Sequence, residues 1–275
     1  MKIQEIIKAF AEMGSLEAER EAYLTVEYLF GVSYTAAICD RLREYDEVEI
    51  NGILEKRKQG TPLQYIFGRW YFMGEEFCVS PDCLIPRADT ELLAEQALKL
   101  TKHGGRVADL CTGSGCIGIS VALLRPDIQS VELYDISEGA LSVAKRNIEL
   151  HRLEKRCNAF LGDVREPLLD GKYDLIVSNP PYILKRDMDS LSKEVKREPY
   201  LALCGGEDGL DIIRPIVENS ADCLNEGGYL MIEFGYDQKE SMDLLLTDAV
   251  SRGLYTSYKI LYDYGSNPRM CIIVK

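Results

Sequence analysis

Along the first 68 residues, apolar positions recur at helical spacing without strand-like alternation. Ile3, Ile6, Ile7 and Phe10 share one face of a helix, and a second helix runs from Ala18 through Leu29. Ser15 and Ser33 stand where a hydroxyl can accept from the free N–H groups of a first turn, so both read as N-caps. Between Thr61 and Pro86 the pattern changes. Gln64 to Gly74 and Glu76 to Val79 alternate and are broken by glycine, which predicts a β-hairpin linking two domains, with the only tryptophan, Trp70, packed in it. A helix capped by Asp89 or Thr90 then runs to Leu100, and Arg87 and Glu91 beside that cap are candidates for more than capping.

From Arg106 onward, short apolar runs alternate with helical stretches, the pattern of a parallel sheet covered by helices on both faces. Strands are expected at Val107–Cys111, Ser130–Tyr134, Arg156–Leu161, Tyr173–Ser178, Tyr229–Phe234, Thr256–Tyr262 and Arg269–Val274. Only Asp263 to Pro268 separates the last two. No crossover helix fits there, so the final pair should be antiparallel in an otherwise parallel sheet. The expected organisation is a helical domain over 1–68, a hairpin linker over 69–86 and an α/β domain over 87–275.

A chain of 275 residues can bury one large and one small core. No apolar run approaches the roughly 18 residues of a membrane span, and the opening MKIQEIIKAFAEMG mixes charges into a helical pattern instead of forming a signal peptide. A cytoplasmic location away from membranes follows as the expectation. The nine cysteines are odd in number, scattered and never paired as CxxC, so they read as reduced, mostly buried thiols. His103 and His151 lie in polar surroundings near helix ends, where a surface or capping role is expected, and no metal site is. A net charge of −13 argues against a broad nucleic-acid footprint and for a protein partner.

The first strand of the larger domain runs into Asp109-Leu110-Cys111-Thr112-Gly113-Ser114-Gly115-Cys116-Ile117-Gly118, a GxGxxG loop opening onto a helix. Asp135 ends the second strand, where a carboxylate can accept both ribose hydroxyls of a nucleoside-containing cofactor. Two cofactors compete. A carboxylate at Asp109 repels a pyrophosphate but favours the cationic methionine end of S-adenosylmethionine. After the third strand, Asp163 offers an acceptor for an adenine amine and Val164 an apolar wall for the ring. The fourth strand delivers Ser178-Asn179-Pro180-Pro181-Tyr182. Its prolines lack N–H groups and fix the turn, which therefore presents acceptors from Asn179 and Pro180 beside the Tyr182 ring. Such a turn suits a planar group that carries an NH2, either an amide or an amino-aromatic base. In an open α/β sheet all four strand ends lie on the carboxyl edge, where ligands bind.

TPLQYIFGRWYFMG, CLIPRADTELL, DLCTGSGCIGI, YDIS, GDV, SNPPYI, the segment Glu194 to Leu210 and LNEGGYLMIEFGYDQ, in this order, resemble the release-factor glutamine methyltransferases (HemK/PrmC-type) over essentially the whole chain. These are class I S-adenosylmethionine-dependent methyltransferases. The resemblance implies a Rossmann-like, seven-stranded, mostly parallel sheet with an antiparallel last strand, preceded by a small all-α domain. It also implies methyl transfer to the side-chain amide nitrogen of the glutamine in the Gly-Gly-Gln motif of peptide-chain release factors. The cofactor contacts it implies fall on Asp109, Cys111, Thr112, Gly113, Ser114, Gly115, Asp135, Asp163, Val164 and Asn179. The glutamine would be received by Asn179, Pro180, Pro181 and Tyr182, with the helical domain docking the protein substrate. Three positions depart from the family pattern: Cys111 replaces a glycine, Ala88 a proline and Val164, in some members, an aromatic residue. Cys111 raises the question of whether its φ is negative, as a non-glycine residue prefers.

An amide nitrogen is a poor nucleophile, so acceptors at Asn179 and Pro180 are expected to orient and polarise it while Tyr182 packs along the side chain, with no metal. An adenine exocyclic-amine methyltransferase acting on DNA or RNA is the alternative, since a flipped base fits the same turn. Acidity and the lack of a basic recognition region weigh against it. A non-catalytic protein that binds release factors or ribosomes is a third reading, disfavoured by the intact Asp135, Asn179 and Tyr182.

Overall fold

The computed structural model describes residues 1–275, which divide into two compact units, Met1–Gly68 with Lys193–Arg197, and Arg69–Ser192 with Glu198–Lys275. The helical unit contains α1 (Ile3–Glu12), α2 (Ala18–Phe30), α3 (Tyr34–Cys39), α4 (Glu47–Lys58) and α5 (Leu63–Phe67). Its core gathers Ile3, Ile6 and Phe10 of α1 with Val26, Ile50 and Leu54, while Ile7 is only partly covered. The Ser33 hydroxyl caps α3 by accepting from the Ala36 N–H. Ser15 takes the Glu17 N–H just ahead of α2, so it braces the approach to that helix and does not occupy the cap position. The segment 193–197 belongs to this unit because Arg57 pairs with both Glu21 (2.7 Å) and Glu194 (2.6 Å), and Arg197 donates to the Gln59 carbonyl.

Gln64 to Phe67, read from its alternation as strand, forms nearly the whole of the short helix α5, which closes on Gly68 in a left-handed conformation. The hairpin itself is shorter: β1 (Arg69–Phe72) pairs antiparallel with β2 (Glu75–Cys78). It belongs to the larger unit and is no free-standing linker, since Phe72 and Phe77 are 1% and 0% exposed within that unit's core. Met73 and Gly74 both adopt positive φ in the two-residue turn, and the Glu91 carboxylate takes the Met73 N–H at 2.8 Å. Trp70 is half-buried.

The rest of the larger unit runs α6 (Ala88–Leu100), β3 (Arg106–Leu110), α7 (Cys116–Leu124), β4 (Ser130–Asp135), α8 (Glu138–Leu150), β5 (Cys157–Leu161), β6 (Tyr173–Ser178), α9 (Tyr200–Leu203), α10 (Ile213–Ser220), β7 (Leu224–Glu233), α11 (Lys239–Ser251), β8 (Ser257–Tyr262) and β9 (Pro268–Val274). The seven-stranded sheet has the order β5-β4-β3-β6-β7-β9-β8, and β9 runs antiparallel to both of its neighbours. Both faces are covered, which is why the strands read as apolar runs. Val107, Val131, Leu133, Leu175 and Val177 face one layer, and Ala108, Leu110, Ile176, Leu230 and Ile232 face the other. The chain leaves β3 toward β4 and β6 toward β7, in opposite directions. That divergence opens a crevice at the carboxyl ends of β3 and β6. No helix is long and apolar enough to cross a membrane.

Asp89 and Thr90 do not cap α6. The helix begins at Ala88 with Arg87 at its N-cap and no side-chain cap bond, which places both residues inside the first turn. Four of the nine cysteines are buried, four are partly covered and Cys39 is exposed, so the thiols are less uniformly buried than expected. His103 is exposed, whereas His151, at the end of α8, meets the Glu76 carbonyl at 2.9 Å.

Candidate active site

The carboxyl ends of β3, β4, β5 and β6 surround one cleft. Cys111, Thr112, Gly113, Ser114, Asp135, Asp163, Val164, Asn179 and Pro181 all line it, as do Arg87, Thr90 and Ile136. Asp109, Gly115, Pro180 and Tyr182 are not among its lining residues.

The glycine loop is held from below. Asp109 is fully buried; its Oδ2 accepts from the Thr112 hydroxyl at 2.7 Å and from the Gly118 N–H at 2.9 Å, while Oδ1 has no partner. Burial pushes its carboxyl up to about 7, against those two hydrogen bonds. Asp109 thus ties the loop together from beneath and does not line the cleft. Cys111 has φ +55°, so a non-glycine residue occupies the left-handed region that a glycine would adopt freely. Burial pushes its thiol well above the ordinary range. Asn147 of α8 ties the hairpin to this loop, accepting the Cys78 N–H at 2.6 Å and donating to the Ser114 carbonyl at 2.8 Å.

Asp135 accepts the Gly113 N–H at 2.8 Å on Oδ2 and the Ser137 N–H at 2.9 Å on Oδ1, and each oxygen keeps a lone pair for the cleft. Burial raises its pKa, opposed by these N–H groups. Ile136 follows at the cleft's lip, 46% exposed, an apolar side chain in a place that otherwise favours polar ones. Asp163 is paired with Arg165 at 2.6 Å, which lowers its pKa, and Val164 is buried against the opposite wall. A carboxylate able to take two hydroxyls, apolar walls on both sides and an acceptor at Asp163 fit an adenosine-containing group.

Asn179 sits at the cleft's far end. Its Nδ2 donates to the Thr90 hydroxyl oxygen at 3.1 Å. Behind it the Tyr182 hydroxyl reaches Glu233 Oε1 at 3.4 Å, and Gln238 holds the turn by donating to the Tyr182 carbonyl at 3.0 Å. Glu233 is 2% exposed and leaves Oε2 without a partner. Its carboxyl is pushed up to about 7 by burial, partly offset by Thr90 and Arg269. Opposite the glycine loop, Arg87 pairs with Glu198, which is 6% exposed and takes the Ile85 N–H at 3.0 Å on its other oxygen.

Sequence reasoning passed over Glu233, Thr90, Glu198 and Asn147 as site residues. Each carried a signal. Glu233 is a carboxylate at the end of the apolar run Tyr229 to Ile232, and a charge so placed requires a partner. Arg87 was distinguished, yet its partner Glu198 is 111 residues away and no local pattern connects them.

The chain matches the family described as methyltransferase small domain over residues 88–196 and that described as PrmC N-terminal domain over residues 3–68. It is 36% identical to a release factor glutamine methyltransferase of Clostridium acetobutylicum, the alignment covering 100% of this chain and 99% of that one. The chain belongs to the release factor glutamine methyltransferase family. A relative of the same name from Aquifex aeolicus is 34% identical over 90% of this chain and 88% of its own length. One from Geobacter sulfurreducens is 45% identical over 70% of this chain and 66% of its own length. The fold is also that of a methyltransferase from Pyrococcus furiosus, with a TM-score of 0.57 and 20% identity over 80% of this chain and 98% of the other. The family is one of methyltransferases, so the cleft at the β3–β6 crevice is where methyl-transfer chemistry is sought.

Proposed function

We propose that this protein transfers a methyl group from S-adenosylmethionine to the side-chain amide nitrogen of a glutamine in peptide-chain release factors, at the Gly-Gly-Gln motif. The observation that carries the proposal is Asn179. Its Nδ2 is held by Thr90, so its Oδ1 is the atom left to accept from a ligand at the end of the cleft. Bound in the cleft, S-adenosylmethionine supplies a methyl group on a positively charged sulfur. Asp135 would hold the ribose, Ile136 and Val164 the adenine, and the loop Cys111 to Ser114 the remainder. Asn179 Oδ1 and the Pro180 carbonyl would accept the two N–H groups of the glutamine, orienting its nitrogen and favouring positive charge that develops there. Tyr182, tied back to Glu233, would border the glutamine's chain. No general base is required before transfer, because the product amide loses its extra proton readily to water.

The names of the relatives, the match of residues 3–68 and the acidic helical unit support a protein substrate docked by residues 1–68, in the cytoplasm where release factors act. Transfer of labelled methyl from S-adenosylmethionine to a purified release factor tests the proposal, with adenine-containing DNA alongside. Label in the factor is expected; label in DNA alone would restore the adenine methyltransferase reading.

A further inference from the structure

Two consecutive prolines leave the turn Asn179 to Tyr182 with few backbone donors, so little of its own backbone can hold it in place. A buried carbonyl of such a turn needs a donor from elsewhere. One is the side chain of Gln238, which follows β7 and is 4% exposed. Its Nε2 donates to the Tyr182 carbonyl at 3.0 Å and to the Gly209 carbonyl at 3.3 Å, while its Oε1 accepts the Gly235 N–H at 2.8 Å. We propose that Gln238 is a positioning residue for the methyl transfer: its amide fixes the backbone of the substrate turn, and with it the Pro180 carbonyl and the Tyr182 ring that meet the glutamine. The inference rests on the function put forward above.

Three segments meet on this one amide. Gln238 stands at the N-cap of α11 but makes no side-chain bond to the helix's first turn, so its amide serves the loops around it. The approach is close because glycines allow it. A Cβ on Gly209 would stand 2.1 Å from Gln238 Nε2 and 2.5 Å from the Tyr182 carbonyl oxygen. On Gly205 it would stand 2.6 Å from Tyr182 Cα and 2.8 Å from the Pro181 carbonyl oxygen. Backbone bonds extend the seam past the turn: Ile183 donates to the Leu203 carbonyl at 2.9 Å, and Gly205 to the Ile183 carbonyl at 2.8 Å. Tyr182 is thus backed by Gly205 at its Cα and held at its carbonyl by Gln238. Gly205, Gly209 and Gln238 do not line the cleft, so a change at Gln238 reaches a substrate through the turn.

The amide has one orientation that satisfies all three partners, since the Gly235 N–H requires an acceptor and the two carbonyls a donor. Gln238→Glu keeps the shape and replaces that donor. As a carboxylate it would turn an acceptor toward the Tyr182 and Gly209 oxygens; protonated, it regains one donor and still takes the Gly235 N–H. Burial raises the pKa of such a carboxyl, and so do the acids around it: Asp208 and Asp211 of the glycine loop, Asp237 beside it and Glu233 behind Tyr182. The cations opposing them are Lys239 next in the chain, Arg214 of α10, which pairs with both Asp208 and Asp211, and Arg269 of β9, which faces Tyr182. The donor introduced by Gln238→Glu is therefore present at low pH and lost as the pH rises through the raised pKa.

The test measures kcat and KM for methyl transfer from S-adenosylmethionine to intact release factor between pH 6 and 9, with S-adenosylhomocysteine affinity and Tm by calorimetry, in the unaltered protein, Gln238→Met and Gln238→Glu. Gln238→Met removes donor and acceptor at similar length; kcat should fall about tenfold or more, with the release-factor KM and the cofactor affinity changed no more than a few-fold. Gln238→Glu should show a comparable loss at pH 9 that narrows several-fold toward pH 6, read as the ratio of its kcat to that of the unaltered protein. An unaltered protein that methylates no release factor overturns the functional reading and this inference with it. An active protein overturns the inference alone if its Gln238→Met variant matches it, if that variant loses cofactor affinity as strongly as kcat, or if the Gln238→Glu loss is the same at every pH. Two variants that are unfolded at the assay temperature would make Gln238 a residue of the fold and overturn it as well.

Discussion

Two glycines that follow β3, one in the loop and one in the helix it opens onto, have separable jobs, and replacing each by alanine distinguishes them. Gly118 lies inside α7 where the helix crosses the sheet. A Cβ there would stand 2.4 Å from Leu133 Cδ2, 3.0 Å from Val131 Cγ1 and 3.0 Å from Asp109 Oδ2. Leu133 and Val131 are both fully buried, so neither can swing away. Alanine gains about 1 kcal/mol of helix propensity over glycine, but overpacking of this kind costs about 1–3 kcal/mol. A further loss of about 1 kcal/mol follows if the Asp109–Gly118 hydrogen bond at 2.9 Å is displaced. The net expectation for Gly118→Ala is a loss of about 2 kcal/mol, or a Tm lower by about 4–8 °C for a domain of this size. Gly113, with φ +56°, has open space around its missing Cβ and lines the cleft. Gly113→Ala should cost about 1 kcal/mol in backbone strain, half as much in Tm, yet weaken cofactor binding the more strongly of the two. Differential scanning calorimetry with and without S-adenosylhomocysteine reads both quantities. A Gly118→Ala protein as stable as the unaltered one would refute the claim that this glycine sets the spacing of helix on sheet.

Other consequences follow from the same geometry. Asn179→Ala should cut turnover by about a hundredfold while leaving S-adenosylhomocysteine affinity within a few-fold, since only the substrate's amide loses an acceptor; equal losses in both would show that Asn179 serves the cofactor. Arg87→Ala leaves the Glu198 carboxylate buried without its cation, so the wall from Ile85 to Arg87 should loosen and Tm fall, whereas Glu198→Gln with Arg87→Ala should recover part of the loss. Asp109, raised to about 7 from the ordinary carboxylate value of 3.8, binds its proton more tightly folded than unfolded, so it subtracts stability as the pH rises through that window. The stability difference between the unaltered protein and Asp109→Asn should therefore shift toward the variant by about 2 kcal/mol from pH 5 to pH 8, and parallel curves would count against a raised carboxyl. Removing residues 1–68 should impair methylation of intact release factor more than of a short glutamine-containing peptide; equal effects on both would argue against docking.

How far the site could be read from the sequence depended on whether its parts were local. The four strand ends were recognisable because each apolar run stops at a residue with chemistry, at Asp109, Asp135, Asp163 and Asn179, and the sheet brings three of these to one cleft. The fourth, Asp109, was assigned to the ligand because residue order cannot tell a side chain that faces the cleft from one that turns under the loop. Cys111 was flagged from its departure from glycine, and its φ of +55° shows that the backbone demand stays the same when the residue changes. Thr90 was taken for a helix cap because threonine near a helix start usually is one. Its real partner, Asn179, comes from the turn after β6, 89 residues on. The stretch Gln64 to Phe67 alternates like a strand yet folds as helix, since four residues support both periods and packing against the helical core decides.

The central claim, that this cleft methylates the amide of a release-factor glutamine, is tested most directly by mass spectrometry of a purified release factor after incubation with the protein and S-adenosylmethionine. The account predicts a gain of one methyl group, located by fragmentation on the glutamine of the Gly-Gly-Gln motif, absent when that glutamine is replaced by alanine and absent with Asn179→Ala. A methyl group on any other residue, or an unmodified factor beside a protein that binds the cofactor, would contradict it.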